Sequence, residues 1–402
     1  MDQKESKKEK RFFGLDKNVL SMSAVSFLND VSSEMVYPFI PIFLTTVLGA
    51  SVAFVGLVEG IADATASILK IFAGRLSDKI GKRKPIVVLG YSLSAIAKPI
   101  LSFATAPWQV LVVRFMDRVG KGTREAPRDA LISSSVEKKD IGKAFGFNRG
   151  ADRMGATLGP FLAFLILPLI NNDLRTLFLF SFVASFFAVL VLIIFVKDTK
   201  ALEKQNNEPK IKFEFNKLST SFRIFIFATT LFSLAGATET MLILRAKDVG
   251  VPIVLLPIIY LVYNLTYSLF SVPAGVLADK FGHRNTYMLG MVIFSGTYIL
   301  FANITSSVAI WFVFAIYGLY SAFTDGVGRA IVSDLVGQEE WKATAYGVYS
   351  AVTGLALLPG SLIFGLIWDN YGASMAFYYG AILGIFSLFA FAFLRIKDQY
   401  GA

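Results

Sequence analysis

The chain has 402 residues, of which 55% are hydrophobic and 17% charged, with a formal net charge of +10. Soluble cores of this length cannot hide so much apolar surface, so a soluble enzyme, a secreted disulfide scaffold and a disordered chain are disfavoured and a membrane protein is expected. The lack of any cysteine excludes disulfides, thiolate metal sites and cysteine nucleophiles, and leaves the redox compartment unreadable.

The first eleven residues, MDQKESKKEKR, are too polar for a signal-peptide core, and no small-residue cleavage site follows the first apolar segment. That segment is therefore expected to stay as a membrane helix. Apolar windows predict an all-α membrane protein with twelve transmembrane helices, over residues 19–48, 52–76, 85–104, 108–136, 141–170 and 174–196, then 222–244, 253–277, 285–302, 308–335, 343–367 and 375–394. The predicted organisation is a cytoplasmic arm (1–18), a six-helix bundle (19–196), a polar linker (197–221), a second six-helix bundle (222–396) and a short tail (397–402).

Lys and Arg crowd every second connection: the N-terminal arm, residues 79–84, residues 138–143, the linker, residues 280–284, Lys342, and Arg395 with Lys397. The alternate connections are nearly bare, with Arg175, Arg245 and Lys247 as exceptions. By the positive-inside rule both termini and the linker are cytoplasmic, in a bacterial inner membrane. The cations then sit beside anionic lipid headgroups, so membrane lipid is the partner that the basic charge implies and nucleic acid is not expected.

Gly74, Leu76, Asp78, Gly81 and Arg83 of GRLSDKIGKR recur 201 positions later as Gly275, Leu277, Asp279, Gly282 and Arg284 of GVLADKFGHR. Ala144 and Gly146 return at the same offset as Ala345 and Gly347. Two similar halves place a cavity between them, near the middle of the bilayer.

The loop GRLSDKIGKRK resembles the cytoplasmic signature of the major facilitator superfamily, repeated in weaker form in the second half. Arg114 with Gly120 is similar to the family's arginine-glycine pattern in the fourth helix. Gly150 and Gly159-Pro160 in the fifth are similar to the glycine-proline motif of its antiporters, although Phe161, Leu162, Ala163 and Phe164 replace the glycines that should follow. The resemblance covers essentially the whole chain. It implies two pseudo-symmetric six-helix bundles and a transporter rather than an enzyme, and it names no substrate.

Charges inside membrane helices carry the most information, because each one facing lipid costs about 2.5 to 3.5 kcal/mol. Arg114, Asp117, Arg118, Lys121, Glu125 and Arg128 recur at spacings of three and four and share one stripe of the fourth helix. The fifth helix adds Arg149, Asp152 and Arg153, the second adds Glu59, Asp63 and Lys70, and the first adds Asp30 and Glu34 with Tyr37 beneath them. The bland reading is that these charges neutralise one another in buried pairs. Arg124, Arg128 and Asp129 lie near the cytoplasmic end, where pairing with loop residues or snorkelling is the default. Arg114 sits deeper, and the resemblance implies that it meets Asp30 or Glu34, an arrangement suited to proton coupling.

The second half is sparser. Glu239 has no obvious local partner and suits either substrate contact or a structural hydrogen bond, while Asp325 and Arg329 form an i,i+4 pair able to satisfy itself. Tyr260, Tyr263, Tyr267, Tyr317 and Tyr320 either line the cavity or pack between helices. Gly146, Gly150, Gly155 and Gly159 have the spacing of close helix packing. Gly74, Asp78, Gly81 and Arg83, with Asp279 and Arg284 in the repeat, read as a conformational latch at the cytoplasmic face, Arg83 its cation and Asp129 a candidate anion partner.

Other chemistries find little support. The run Gly120-Lys121-Gly122-Thr123 lacks phosphate-loop spacing. The only histidine, His283, lies in the second signature loop, so neither a metal site nor a serine triad can be assembled around it. The reading that emerges is a monomeric secondary transporter of a small organic solute, anionic or zwitterionic, coupled to protons, leaning slightly to antiport and needing no cofactor. A receptor or scaffold that reuses the fold is the alternative.

Overall fold

The computed structural model describes residues 15–80, 82–137, 140–198, 219–336 and 339–393, and the regular elements among them are helical. The first rod begins as α1 (Lys17–Val36) and continues through a 3-10 turn (Tyr37–Phe39), one α turn (Ile40–Ile42) and a π turn (Phe43–Val47). Helices α2 (Val52–Ile80), α3 (Lys84–Ser102), α4 (Pro107–Ser134), α5 (Ile141–Leu169) and α6 (Leu174–Phe195) complete the first half. The second half holds α7 (Thr220–Ala235) and α8 (Glu239–Asp248), two pieces of one rod, then α9 (Leu256–Phe281), α10 (His283–Asn303), α11 (Ala309–Leu335), α12 (Glu339–Tyr371) and α13 (Ala373–Ala392).

Ten helical stretches among the described residues are long and apolar enough to cross a membrane. The first rod and α4 fall outside that count: the regular helix of the former ends at Val36 and is polar, with several Ser and Asn beside Asp30 and Glu34, and the latter carries the charge stripe. Large apolar side chains stand exposed along α6, among them Phe180, Phe186, Phe187 and Phe195, as lipid contact requires.

Helix ends follow local chemistry. The Asp16 carboxylate accepts from Asn18 N at 2.7 Å and starts α1. Asp173 accepts from the backbone of Arg175 and Thr176 at 3.1 and 3.2 Å to start α6. The Thr176 hydroxyl bond, with those backbone bonds, holds the Asp173 carboxyl below the usual carboxylate range. Gly282, at φ +87°, turns α9 directly into α10, a left-handed backbone that side chains other than glycine's rarely adopt.

The two halves break at matching places. Pro38 and Pro41 lack the N–H that a regular helix needs, so the first rod loosens after Val36. Position 238, which lies 201 residues after Tyr37, is the last residue of the gap between α7 and α8. There the Tyr298 hydroxyl accepts from Ala237 N at 2.7 Å, restoring a bond that the helix gives up.

Within the first half α1 packs on α5 and α6, and α4 on α2 and α3; in the second, α11 packs on α9 and α10, and α13 on α7 and α10. Between the halves α2 runs along α12, and α5 along α9. The α2–α12 seam is built on glycine: a Cβ at Gly60 would lie 2.7 Å from Leu358 Cα, one at Gly354 2.6 Å from Ser67 Oγ, and one at Gly365 2.5 Å from Ala53 Cα. At the end of this seam the Asp369 carboxylate caps α2 from the other half, accepting from Val52 N and Ala53 N at 2.9 and 2.8 Å. Gly155 and Gly159 serve α5 in the same way, since a Cβ on either would meet the α1 carbonyls of Phe27 and Val31 at 2.5 and 2.6 Å. Gly146 and Gly150 face open space and are not packing glycines.

The apolar core is continuous in the second half and divided in the first. One cluster joins Val36, Phe39 and Phe43 to Val113 and Phe178 and runs on into the second half. A smaller one joins Val19, Met22 and Val25 to Val87, Tyr91 and Leu131. The charges of α1, α4 and α5 lie between these two clusters.

Candidate functional site

Two cavities of similar size lie against this charged layer and across the half boundary from it. The first, about 270 Å³, is bounded by α1, α4, α5 and α9 and receives Asp30, Glu34, Lys121, Arg149, Asp152 and Arg153, as well as Arg124, Glu125 and Arg128. Five cations and four carboxylates therefore share its wall. The second, about 280 Å³, is lined by Asp63, Glu239 and Asp325 with Phe232, Tyr287, Tyr317, Tyr320 and Tyr349, and the described residues contribute no Lys or Arg to its lining.

Arg114 faces neither lobe. Its Nε and Nη2 donate to the two oxygens of Glu59 at 3.0 and 2.6 Å, its Nη1 to Asp117 at 3.4 Å, and the Tyr37 ring lies 5.7 Å away. The expected partnership with Asp30 or Glu34 is thus corrected. Glu59 reaches Arg114 first because α2 packs directly on α4, and a planar guanidinium fits one carboxylate with two parallel bonds. Both groups are almost wholly buried, Glu59 at 1% and Arg114 at 5% exposure.

Arg124 and Arg128 are also buried rather than snorkelling. Arg124 donates to Ser94 Oγ at 2.5 Å and stacks on Tyr91 at 4.6 Å. Arg128 bonds Asp129 at 2.9 Å, reaches Ser26 at 3.4 Å and stands 3.9 Å from Asp152. Glu125 pairs with Lys70 at 2.8 Å. Much of the stripe thus neutralises itself. Among the charged groups of α1, α4 and α5, Glu34 Oε2, Asp152 Oδ1 and Arg118 Nε keep no hydrogen-bond partner among the described residues.

In the second lobe Glu239 opens α8 just past the break and accepts from Tyr37 and Tyr263 hydroxyls at 3.2 and 3.4 Å, so one bond crosses between the halves. Tyr263 also shares a 3.1 Å hydrogen bond with Ser321. Arg153 stacks on Tyr267 at 4.5 Å, a second contact across the boundary. Asp325 has the Tyr267 hydroxyl beside it, with Arg329 and Arg153 further out. The tyrosines therefore divide between the two jobs considered for them: Tyr317 and Tyr320 line this lobe and Tyr260 the charged one, while Tyr263 is buried between helices.

The latch residues are only partly visible. The side chain of Asp78, and Gly81 altogether, lie outside the described residues. Arg83 donates to Ala130 O at 3.0 Å and Ser134 Oγ at 3.1 Å, both on α4 of its own half, and Asp129 pairs with Arg128, so the expected Arg83–Asp129 pair is not formed. A Cβ at Gly74 would lie 3.4 Å from Ala126 Cβ, an ordinary contact. In the repeat, Asp279 lies 3.6 Å from His283, which bonds Asp334 at 2.6 Å, and Arg284 donates to Ala392 O at 2.5 Å.

Sequence reading missed Lys98. It is 5% exposed, its Nζ has no hydrogen-bond partner among the described residues, and it borders a cavity of about 30 Å³ with Asp117, Arg114 and Ser33. Such a volume has room for water. A lone lysine inside the predicted span 85–104 was the available signal. Asp369 was missed as well, and nothing in its local sequence marks it as a cap for a helix more than 300 positions away.

The Major Facilitator Superfamily model matches residues 22–262 and 224–401. An uncharacterized MFS-type transporter of Methanocaldococcus jannaschii is 36% identical over 379 residues, spanning 93% of this chain and 94% of the relative. The class H tetracycline resistance protein of Pasteurella multocida is 22% identical over 408 residues, spanning 96% of each. The crystal structure of the nucleoside transporter NupG has the same fold, with a TM-score of 0.78 at 17% identity over 93% of this chain and 98% of that one. With helices suited to crossing a membrane and a cavity between two related halves, the chain belongs to the Major Facilitator Superfamily and is a multi-pass transmembrane transporter.

Proposed function

We propose that the protein is a proton-coupled secondary transporter that moves a small organic solute by alternating access. The observation that carries this reading is the pair of lobes at the half boundary, one charged and one lined by tyrosines, with the two halves tied to each other by the Tyr37–Glu239 bond. Twelve spans support it: the ten apolar stretches, α4, whose charges turn inward, and the first rod, whose carboxylates face a cavity. The alternation of basic and bare loops supports a cytoplasmic place for both termini and the linker, and the reading is of a monomer in an inner membrane. In that orientation the Asp369 cap and the glycines of the α2–α12 seam hold the halves together from the outer end inward, which suits a form closed to the outside. Asp78 retains its proposed role as a latch for the opposite form.

The coupling groups in this reading are Asp30 and Glu34. Both line the charged lobe, neither is clamped by Arg114, and Glu34 keeps one oxygen without a partner among the described residues. A proton on Glu34 removes the negative charge that this oxygen would otherwise hold without a partner, so the acid can change its charge as the cavity changes its access. The cations of the same lobe suit an anionic end of the solute, and the direction proposed is export. Proteoliposomes preloaded with buffer and offered labelled tetracycline, uridine or dialanine test the reading: at least one solute should enter faster than into protein-free vesicles.

A further inference from the structure

We infer that the lobe of the second half is a subsite for an organic ammonium group, with Glu239 as its counter-charge and the faces of Tyr317 and Tyr320 as its walls; the inference rests on the transport reading above. The three carboxylates of that lobe differ in what already balances them. Asp63 faces Arg118, and Asp325 has Arg329 and Arg153 within electrostatic reach. Glu239 has neutral donors only, the hydroxyls of Tyr37 and Tyr263 and its own backbone N–H, and no ion pair within 4 Å among the described residues. A carboxylate taken out of bulk water needs a cation or a proton, and neutral donors supply neither.

The surroundings select the kind of cation. Tyr317 and Tyr320 stand 5.1 Å apart at 48°, and Tyr320 lies 5.8 Å from Phe232 at 66°, so ring faces of different tilt border the space beside Glu239. Aromatic faces attract a soft, weakly hydrated cation such as an alkylammonium. An inorganic metal ion would require several oxygens converging on one point, and among the described residues no three acidic, histidine or cysteine side chains do so. At about 280 Å³ the cavity accommodates a small organic amine. The charged lobe across the boundary holds one more cation than anion, so a zwitterionic solute would lie with its amine toward Glu239 and its acid toward the α4 and α5 arginines.

The test is thermal unfolding of the purified protein with benzyltrimethylammonium chloride, benzyl alcohol and sodium benzoate at matched ionic strength. The expected result is a concentration-dependent rise in Tm with the ammonium compound and little with the other two. Glu239→Gln should weaken that binding about tenfold or more, and Tyr320→Leu should weaken it while Tyr320→Phe retains more of it than the leucine variant. Equal stabilisation by benzyl alcohol or benzoate overturns the inference, as does unchanged ammonium affinity in Glu239→Gln. If that variant does not fold, the comparison of the three probes on the native protein and the two Tyr320 variants decide the matter alone. Vesicle uptake of tetracycline, uridine or dialanine without ammonium binding leaves the transport reading standing and removes the subsite. Ammonium binding without uptake of any of these solutes or of benzyltrimethylammonium does the reverse.

Discussion

Arg114 and Glu59 hold each other by two hydrogen bonds of 3.0 and 2.6 Å inside the first half, away from solvent and beside Tyr37. Breaking a buried pair from one side leaves an uncompensated charge, which costs about 3 to 5 kcal/mol in soluble proteins. Arg114→Ala should therefore lower Tm strongly, and Arg114→Gln combined with Glu59→Gln should recover much of the loss. A double variant whose loss equals the sum of the two single losses would show that the pair contributes no coupling energy.

Lys98 makes the opposite prediction. Its amine is buried without a hydrogen-bond partner among the described residues, so Lys98→Met, which keeps length and removes charge, should leave Tm unchanged or raise it, by a gain on the order of 1 kcal/mol. A fall of several degrees would mean that water in the adjoining cavity ties Lys98 firmly to Asp117.

The glycine seam separates packing from mere motif. Gly60→Ala places a methyl within 2.7 Å of Leu358 Cα, so it should push α2 away from α12 and shift the population toward the outward-open form. Gly146→Ala meets open space and should leave that equilibrium alone. Thiol accessibility of single cysteines placed on either side of the seam measures both; equal effects from the two substitutions would contradict the role given to Gly60.

Orientation has its own test, made simple by the lack of native cysteine. Single cysteines at Ser51, Asn171 and Ser306 should react with an impermeant thiol reagent applied to intact cells, and one at Asn207 should not. The reverse pattern would place the termini outside.

Much of this fold is legible in the sequence because bilayer thickness sets helix length and the 201-residue repeat sets the halves. The α4 stripe also turns inward as lipid demands. Partner choice within that stripe is not legible, since Arg114 has several carboxylates within one helix turn of its depth and only the α2–α4 packing selects Glu59. Nor does sequence spacing reveal the separation into a lobe rich in cations and a lobe lined with none among the described residues. That depends on how α8 restarts after its break and aims Glu239 at Tyr37 of the other half. The latch expectation rested on a loop pattern, and the described part of it, Arg83 on α4, binds within its own half.

The most direct test of the central claim is proton movement in proteoliposomes carrying a pH dye in the lumen, with tetracycline, uridine, dialanine or benzyltrimethylammonium added outside. At least one solute should drive a proton flux through the native protein, and the paired substitution Asp30→Asn with Glu34→Gln should abolish that flux while the protein still binds the solute by thermal shift. Solute uptake that moves no protons, or a proton flux that survives the loss of both carboxylates, would contradict coupling through the first helix.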